Sequence, residues 1–333
     1  MAEAPITPVW ILTGFLGSGK TTLLSRLMRH PGMGDTAVIV NEFGEVGLDH
    51  RLVAQSAETN VLLLDSGCLC CAMGDDLAET LTELFHKRTR GEIPDFRRVV
   101  IETTGLADPG PIIGTLLADR VMTSRYRIAG VIAVADGVLG AEQLLKHREA
   151  QRQAALADRI IISKRDQITE ADAAVLRARL IAANPRAEIL SIAQGEVAPE
   201  VLLAPPQERG CDGVAHTADC GHDHAHDHAA HRHSEAVETV FAPFPNPMDW
   251  SDYAGVVAFL QRRLGADLWR TKGIVRIKGE PEPMVIQGVQ HLFAPPTPLP
   301  EAAEARFGLV LIGETLGGAG LVEALAPFGA VAD

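Results

Sequence analysis

Three cysteines in four residues, Cys68, Cys70 and Cys71, lie downstream of a glycine-rich segment, Gly14-Phe15-Leu16-Gly17-Ser18-Gly19-Lys20-Thr21. Thiolates are soft ligands suited to transition metals. A Gly-x-x-x-x-Gly-Lys-Thr segment turns its backbone N–H groups toward phosphates. Each motif alone fits many chemistries. Their combination predicts one domain in which the state of a nucleotide is coupled to a metal.

The phosphate segment spans Gly14, Gly17, Ser18, Gly19, Lys20, Thr21 and Thr22. Its glycines let the backbone curl, and the helix that follows adds partial positive charge at its N-terminus. Lys20 reaches the β and γ phosphates, and Thr21 ligates Mg2+. Glu102 closes an apolar run where an acidic group orients Mg2+ through water. Gly105, three residues on, offers a backbone N–H to the γ-phosphate. The attacking water is oriented by Glu45 or Glu102. Ser163-Lys164-Arg165-Asp166 resembles the guanine-reading Asn-Lys-x-Asp motif, with serine in place of asparagine. Asp166 would accept from guanine N1–H and its exocyclic amine, both absent from adenine, while the Lys164 stem covers the base. GTP is expected over ATP.

In an extended segment Cys68 and Cys70 point the same way, and Cys71 joins them only through a turn. A tetrahedral zinc site takes four ligands. Glu42 or Glu45 could supply a carboxylate, or water could hold the last position; such an open site suits transfer. A redox switch and inert thiols are the other readings of the cluster. Seven of the twelve histidines fall between positions 216 and 233. Of these, His222, His224, His226 and His228, with Cys211 and Cys220, would form a collecting site for Zn, Ni, Co or Cu, unless the tract is simply a solvated linker. The isolated His30, His50, His86, His147 and His291 are assigned to packing or surface.

The elements that must position these groups follow from the apolar runs. Val9–Thr13, Ala37–Val40, Val61–Leu64, Val99–Ile101, Val131–Val134, Ile160–Ile162 and Ile189–Ile192 read as strands buried on both faces. Helical stretches Thr21–His30, Asp75–Arg90, Ala141–Ala157 and Glu170–Asn184 separate most of them. The fold class is therefore α/β: a doubly wound, mostly parallel sheet. Each polar motif follows a strand directly, so the motifs converge on one sheet edge. Residues 1–204 form this domain, 205–234 a flexible His-rich linker, and 235–333 a smaller α+β domain. In the last, strands are expected at Glu235–Phe244, Gly273–Lys278, Met284–Val289 and Leu309–Ile312, with helices at Asp249–Leu264 and Leu321–Ala326. The 333 residues carry a net charge of −13, which argues against nucleic acid as partner. No run of about 18 apolar residues predicts a membrane span. Met1–Pro8 lacks a basic leader region, so a cytoplasmic protein is expected.

With these residues in view, the chain resembles the CobW-type metal-chaperone GTPases, in their zinc-linked branch of the P-loop GTPases. The resemblance rests on Thr13–Thr22, Asn41-Glu42-Phe43-Gly44-Glu45, Gly67-Cys68-Leu69-Cys70-Cys71 and Glu102–Pro109. It extends through the His-rich tract to Lys272-Gly273 and Ile286–Val289. It implies a P-loop NTPase fold, a metal at the cysteine motif inside the GTPase domain, and slow, metal-stimulated hydrolysis of GTP to GDP and phosphate. Hydrolysis would drive delivery of Zn2+, or alternatively Co2+, to a client metalloprotein. Asn41–Glu45 would switch between nucleotide and thiols, and the protein would be a monomer or a GTP- or metal-dependent dimer. The alternatives are a cobalt chaperone for cobalamin synthesis, a P-loop small-molecule kinase, and a metal buffer with a minor nucleotide role.

Overall fold

The computed structural model describes residues 6–40, 61–65, 75–118, 120–204, 237–299 and 306–331. Glu42, Glu45, Cys68, Cys70, Cys71, Cys211, Cys220, His222, His224, His226 and His228 lie outside them, as does the expected linker 205–234. The chain divides into two units, Met1–Glu208 and Arg209–Asp333.

Strands of the first unit are β1 (Thr7–Thr13), β2 (Thr36–Val40), β3 (Val61–Asp65), β4 (Arg98–Glu102), β5 (Tyr126–Asp136), β6 (Arg159–Ser163) and β7 (Glu188–Ser191). They lie in the order β3-β2-β4-β1-β5-β6-β7, every pair parallel. Alternation along each strand divides the apolar side chains between two layers. Trp10, Leu12, Val38, Val100, Ile132 and Val134 pack with Leu23, Leu24, Leu27 and Met28 of the helix Lys20–Met28. Ala133, Ile160 and Ile162 face Leu144, Ala150, Ala154, Leu176 and Leu180 on the other side. Fully covered strands have no polar face, so their sequences are nearly unbroken apolar runs. The polar groups gather instead at the strand ends: Glu102 is in register with Leu12 and Val40, and Asp136 with Ser163.

Two helical details differ from the expected pattern. The stretch Ala141–Ala157 is not one helix: His147 adopts an extended conformation and separates Gly140–Lys146 from Arg148–Leu156. Neither glycine nor proline marks this break, so periodicity could not show it. Helices Gly110–Ala118, Arg120–Arg125 and Pro199–Leu202 also appear where none was expected. By contrast, Glu170–Ala183 starts where Thr169 and Asp172 form a reciprocal capping box.

The second unit is an antiparallel sheet of β8 (Val237–Pro243), β9 (Leu268–Val275), β10 (Met284–Val289), β11 (Leu292–Phe293), β12 (Thr297–Pro298) and β13 (Gly308–Glu314). Its order is β11-β10-β9-β13-β8, with β12 on β10. Helices Trp250–Arg263 and Gly318–Leu325 close a core of Val256, Leu260, Ile286, Leu309, Leu311, Leu321 and Leu325. The strand expected at Gly273–Lys278 begins five residues earlier, at Leu268. Arg270, Thr271 and Lys272 disguise its start as polar, yet all three are buried. Among the described residues no helix is long and apolar enough to cross a membrane.

Candidate nucleotide site

The phosphate segment runs from the end of β1 into the helix Lys20–Met28. Gly14 has φ +145°, and a Cβ there would lie 2.4 Å from the Val134 carbonyl oxygen. Only glycine lets the loop leave β1 so close to the backbone of β5. Lys20 is buried, and its Nζ donates to the carbonyls of Gly14 (2.7 Å) and Phe15 (3.3 Å). The ammonium is thus already held over the loop that would wrap the phosphates. Ser18 is fully buried, so its contribution to a ligand would come through the backbone rather than the hydroxyl. Thr22 is exposed. Leu16, Gly17, Gly19, Lys20, Thr21 and Thr22 line a cavity of about 270 Å3 with Glu102, Thr103, Thr104 and Gly105.

Thr21 Oγ1 donates to Glu102 Oε1 at 2.9 Å, and Glu102 is buried at the end of β4. A hydroxyl and a carboxylate side by side form an all-oxygen donor pair, the chemistry that a hard cation such as Mg2+ takes. One residue on, Thr103 N–H donates to Leu12 O and Thr103 Oγ1 to Thr13 Oγ1, both at 2.9 Å. These bonds stitch β4 to β1 just behind the cavity. Gly105 then passes against the phosphate loop; a Cβ there would meet Leu16 Cα and N at 2.9 Å.

The Ser163–Asp166 segment occupies the neighbouring strand end. Ser163 Oγ donates to the Ser18 carbonyl at 2.6 Å, so its hydroxyl holds the phosphate loop. Lys164 has left-handed backbone (φ +52°). Its Nζ donates to Gly17 O at 2.9 Å and pairs with Asp136 Oδ2 at 2.7 Å. Asp166 sits exposed in a short turn beside them. The sequence-predicted residues Gly14, Gly17, Ser18, Gly19, Lys20, Thr21, Thr22, Glu102, Gly105, Ser163 and Lys164 therefore meet around one loop.

Sequence reasoning missed Asp136, which is 1% exposed and whose Oδ1 also accepts from Val138 N–H at 2.9 Å. An acid closing the run Val131–Val134 before Gly137 was the available signal, parallel to Glu102. It also missed Gln153 and Arg152, which carry no motif. His147, assigned above to packing or surface, stacks on Phe15 of the phosphate loop, with ring centroids 4.6 Å apart. Among the described residues no group of three or more His, Cys, Asp or Glu could hold a metal. The candidate thiols and clustered histidines lie outside those residues.

A glycine-rich loop between a central parallel strand and a helix, with a lysine over the loop and a threonine–glutamate pair beside it, defines a P-loop nucleotide-binding protein. Residues 8–191 match the CobW/HypB/UreG nucleotide-binding domain, and residues 237–328 match the cobalamin synthesis protein cobW C-terminal domain. The chain belongs to the CobW/HypB/UreG family. It is 36% identical to the zinc chaperone YjiA of Escherichia coli, over 86% of this chain and 87% of that protein. It is 29% identical to the zinc-regulated GTPase metalloprotein activator 1 of Saccharomyces cerevisiae, over 86% of this chain and 75% of that one. The crystal structure of the Zn(II)-bound YjiA GTPase from E. coli superimposes with a TM-score of 0.70 at 28% identity, covering 98% of this chain and 99% of the other.

Proposed function

We propose that this protein is a GTP-hydrolysing metallochaperone that carries Zn2+ and hands it to a client metalloprotein. The observation that carries this reading is the pairing of a complete P-loop site with near full-length similarity to a protein named a zinc chaperone. The phosphate loop and Lys20 would bind the β and γ phosphates, with Lys20 exchanging its loop carbonyls for phosphate oxygens. Thr21 and Glu102 would hold Mg2+, which neutralises charge developing on the phosphates. Gly105 N–H would meet the γ-phosphate, and a water oriented by Glu45 or Glu102 would attack it. Lys164 and Asp166 would select guanine, with Ser163 holding the neighbouring loop.

Zn2+ is the cargo. Cys68, Cys70 and Cys71 are its ligands, with Glu42 as a further donor, and His222, His224, His226 and His228 collect metal for them. The Asn41–Glu45 segment couples γ-phosphate to thiolates, an order–disorder switch of the kind a γ-phosphate can hold. On this reading residues 1–204 carry the GTPase, 205–234 the collecting tract and 235–333 the α+β CobW C-terminal-like domain. A reducing cytoplasm would keep these thiols free to bind metal, which supports a cytoplasmic location. Its net charge of −13 disfavours nucleic acid, and it acts as a monomer or as a dimer formed with GTP or metal.

The test is Zn2+ affinity with a non-hydrolysable GTP analogue and with GDP, repeated on Cys70→Ala. Expected is a nucleotide-dependent tight site in the native protein, absent from the variant. Equal affinity in both nucleotide states would overturn the coupling.

A further inference from the structure

The helix Arg148–Leu156 contains no recognised motif, yet it touches the loop after β4 and, through His147, the phosphate loop. Gln153 is 2% exposed. Its Nε2 donates to Ala107 O at 3.0 Å and to Gly105 O at 3.2 Å. Two carbonyls can be satisfied only by the amide NH2, so the orientation of this side chain is set by its partners. The preceding residue, Arg152, pairs through its guanidinium with Asp108 Oδ2. Asp108 Oδ1 in turn accepts from Gly110 N–H at 2.8 Å, at the start of the helix Gly110–Ala118. Residues 105, 107 and 108 are therefore all tied to one turn of one helix.

That helix is itself fixed at both ends. At its N-terminal end His147 stacks on Phe15. At its C-terminal end the buried Asn184 side chain donates to the carbonyls of Ala154, Ala155 and Ala157 at 3.0, 3.0 and 2.8 Å. Gln153 also lines, with Gly14 and Phe15, a cavity of about 20 Å3 behind the phosphate loop. On its other side Gly105 abuts Leu16, so its backbone is held between that loop and Gln153.

We infer that Gln153 is a positioning residue for the γ-phosphate: by holding the Gly105 and Ala107 carbonyls, it places the Gly105 N–H relative to the phosphate loop and so sets the preference for nucleoside triphosphate over diphosphate. This rests on the proposed role of Gly105 at the γ-phosphate. Gln153→Met keeps the volume and removes both donors. It is compared with the native protein by direct binding of GDP and of a non-hydrolysable GTP analogue, by turnover, and by thermal unfolding to normalise for folded protein. Expected is a loss of about tenfold in analogue affinity and in kcat, with GDP affinity held within about twofold. His147→Ala, acting on the phosphate loop, should instead weaken both nucleotides alike. An equal loss of GDP and analogue affinity in Gln153→Met, or no loss of either, would overturn the inference. Binding is read separately from turnover, so a native protein that binds the analogue without hydrolysing it defeats the GTPase reading and still tests Gln153.

Discussion

The two sheets of this molecule treat polar residues in opposite ways. In the parallel sheet the strand interiors are apolar, and the buried polar groups Thr13, Glu102, Asp136 and Ser163 stand at the strand ends. In the antiparallel sheet the buried polar run Arg270-Thr271-Lys272 lies inside a strand, bonded on both sides by β10 and β13. A parallel sheet covered on both faces leaves its carboxyl edge as the place where polar side chains can act on a ligand. The first unit is thus built to do chemistry at an edge. The second places its buried polar run inside a strand, where the neighbouring strands cover it.

The sharpest way to break this division is Lys20→Ala. GTP turnover should fall on the order of 10^3-fold, as when a positioned charge-stabilising group is removed from a transition state. Phosphate release measures it, and unfolding of the second unit should be unaltered. The reciprocal test is Leu311→Ala in β13, at a fully buried position. It should cost about 3 kcal/mol of that unit's stability, read by urea unfolding, with turnover per folded molecule unchanged. A large fall in turnover there would mean that the chemistry is not confined to the parallel edge.

Smaller effects sharpen the picture within each unit. Asp136→Asn keeps an oxygen for Val138 N–H but removes the charge that anchors Lys164. Lys164 is one-third exposed, so solvent screens the pair and the expected cost is about 1–2 kcal/mol. Guanine-over-adenine preference, measured by competition binding, should decline with it. The two tyrosines, one in each unit, give the mildest probe. Burial pushes both Tyr126 and Tyr253 up to about 12. Between about 10, the unfolded value, and about 12 the folded chain keeps protons that the unfolded chain loses. This contribution is therefore complete below about pH 10 and is lost as pH rises toward 12. Absorbance at 295 nm should show no tyrosinate near pH 10, with ionisation emerging together with loss of circular dichroism.

The parallel sheet was legible because its strands have no polar face, and a continuous apolar run needs no partner to be recognised. The phosphate loop was legible for a similar reason, since its glycines and lysine act through local backbone geometry. β9 was not: Arg270 and Lys272 are buried by their place in the sheet, which local hydropathy does not register. The break at His147 and the bonds of Gln153 depend on Phe15, Gly105 and Ala107, which are remote in sequence. Ser163 shows a further limit. Its position in a base-reading motif was visible, but its bond to Ser18 O arises only when β6 lies beside β5 and the phosphate loop.

The bond from Ser163 to Ser18, with that from Lys164 to Gly17, has a consequence for how a nucleotide is measured. The segment proposed to read the base and the loop proposed to grip the phosphates are fastened to each other. The spacing between them is a fixed rule rather than an adjustable one. A nucleotide would bind as a chelate, its second end held at high effective concentration once the first is seated. Guanosine alone and triphosphate alone would each bind far more weakly than the joined molecule, and a linker of altered length between base and phosphate would forfeit the advantage.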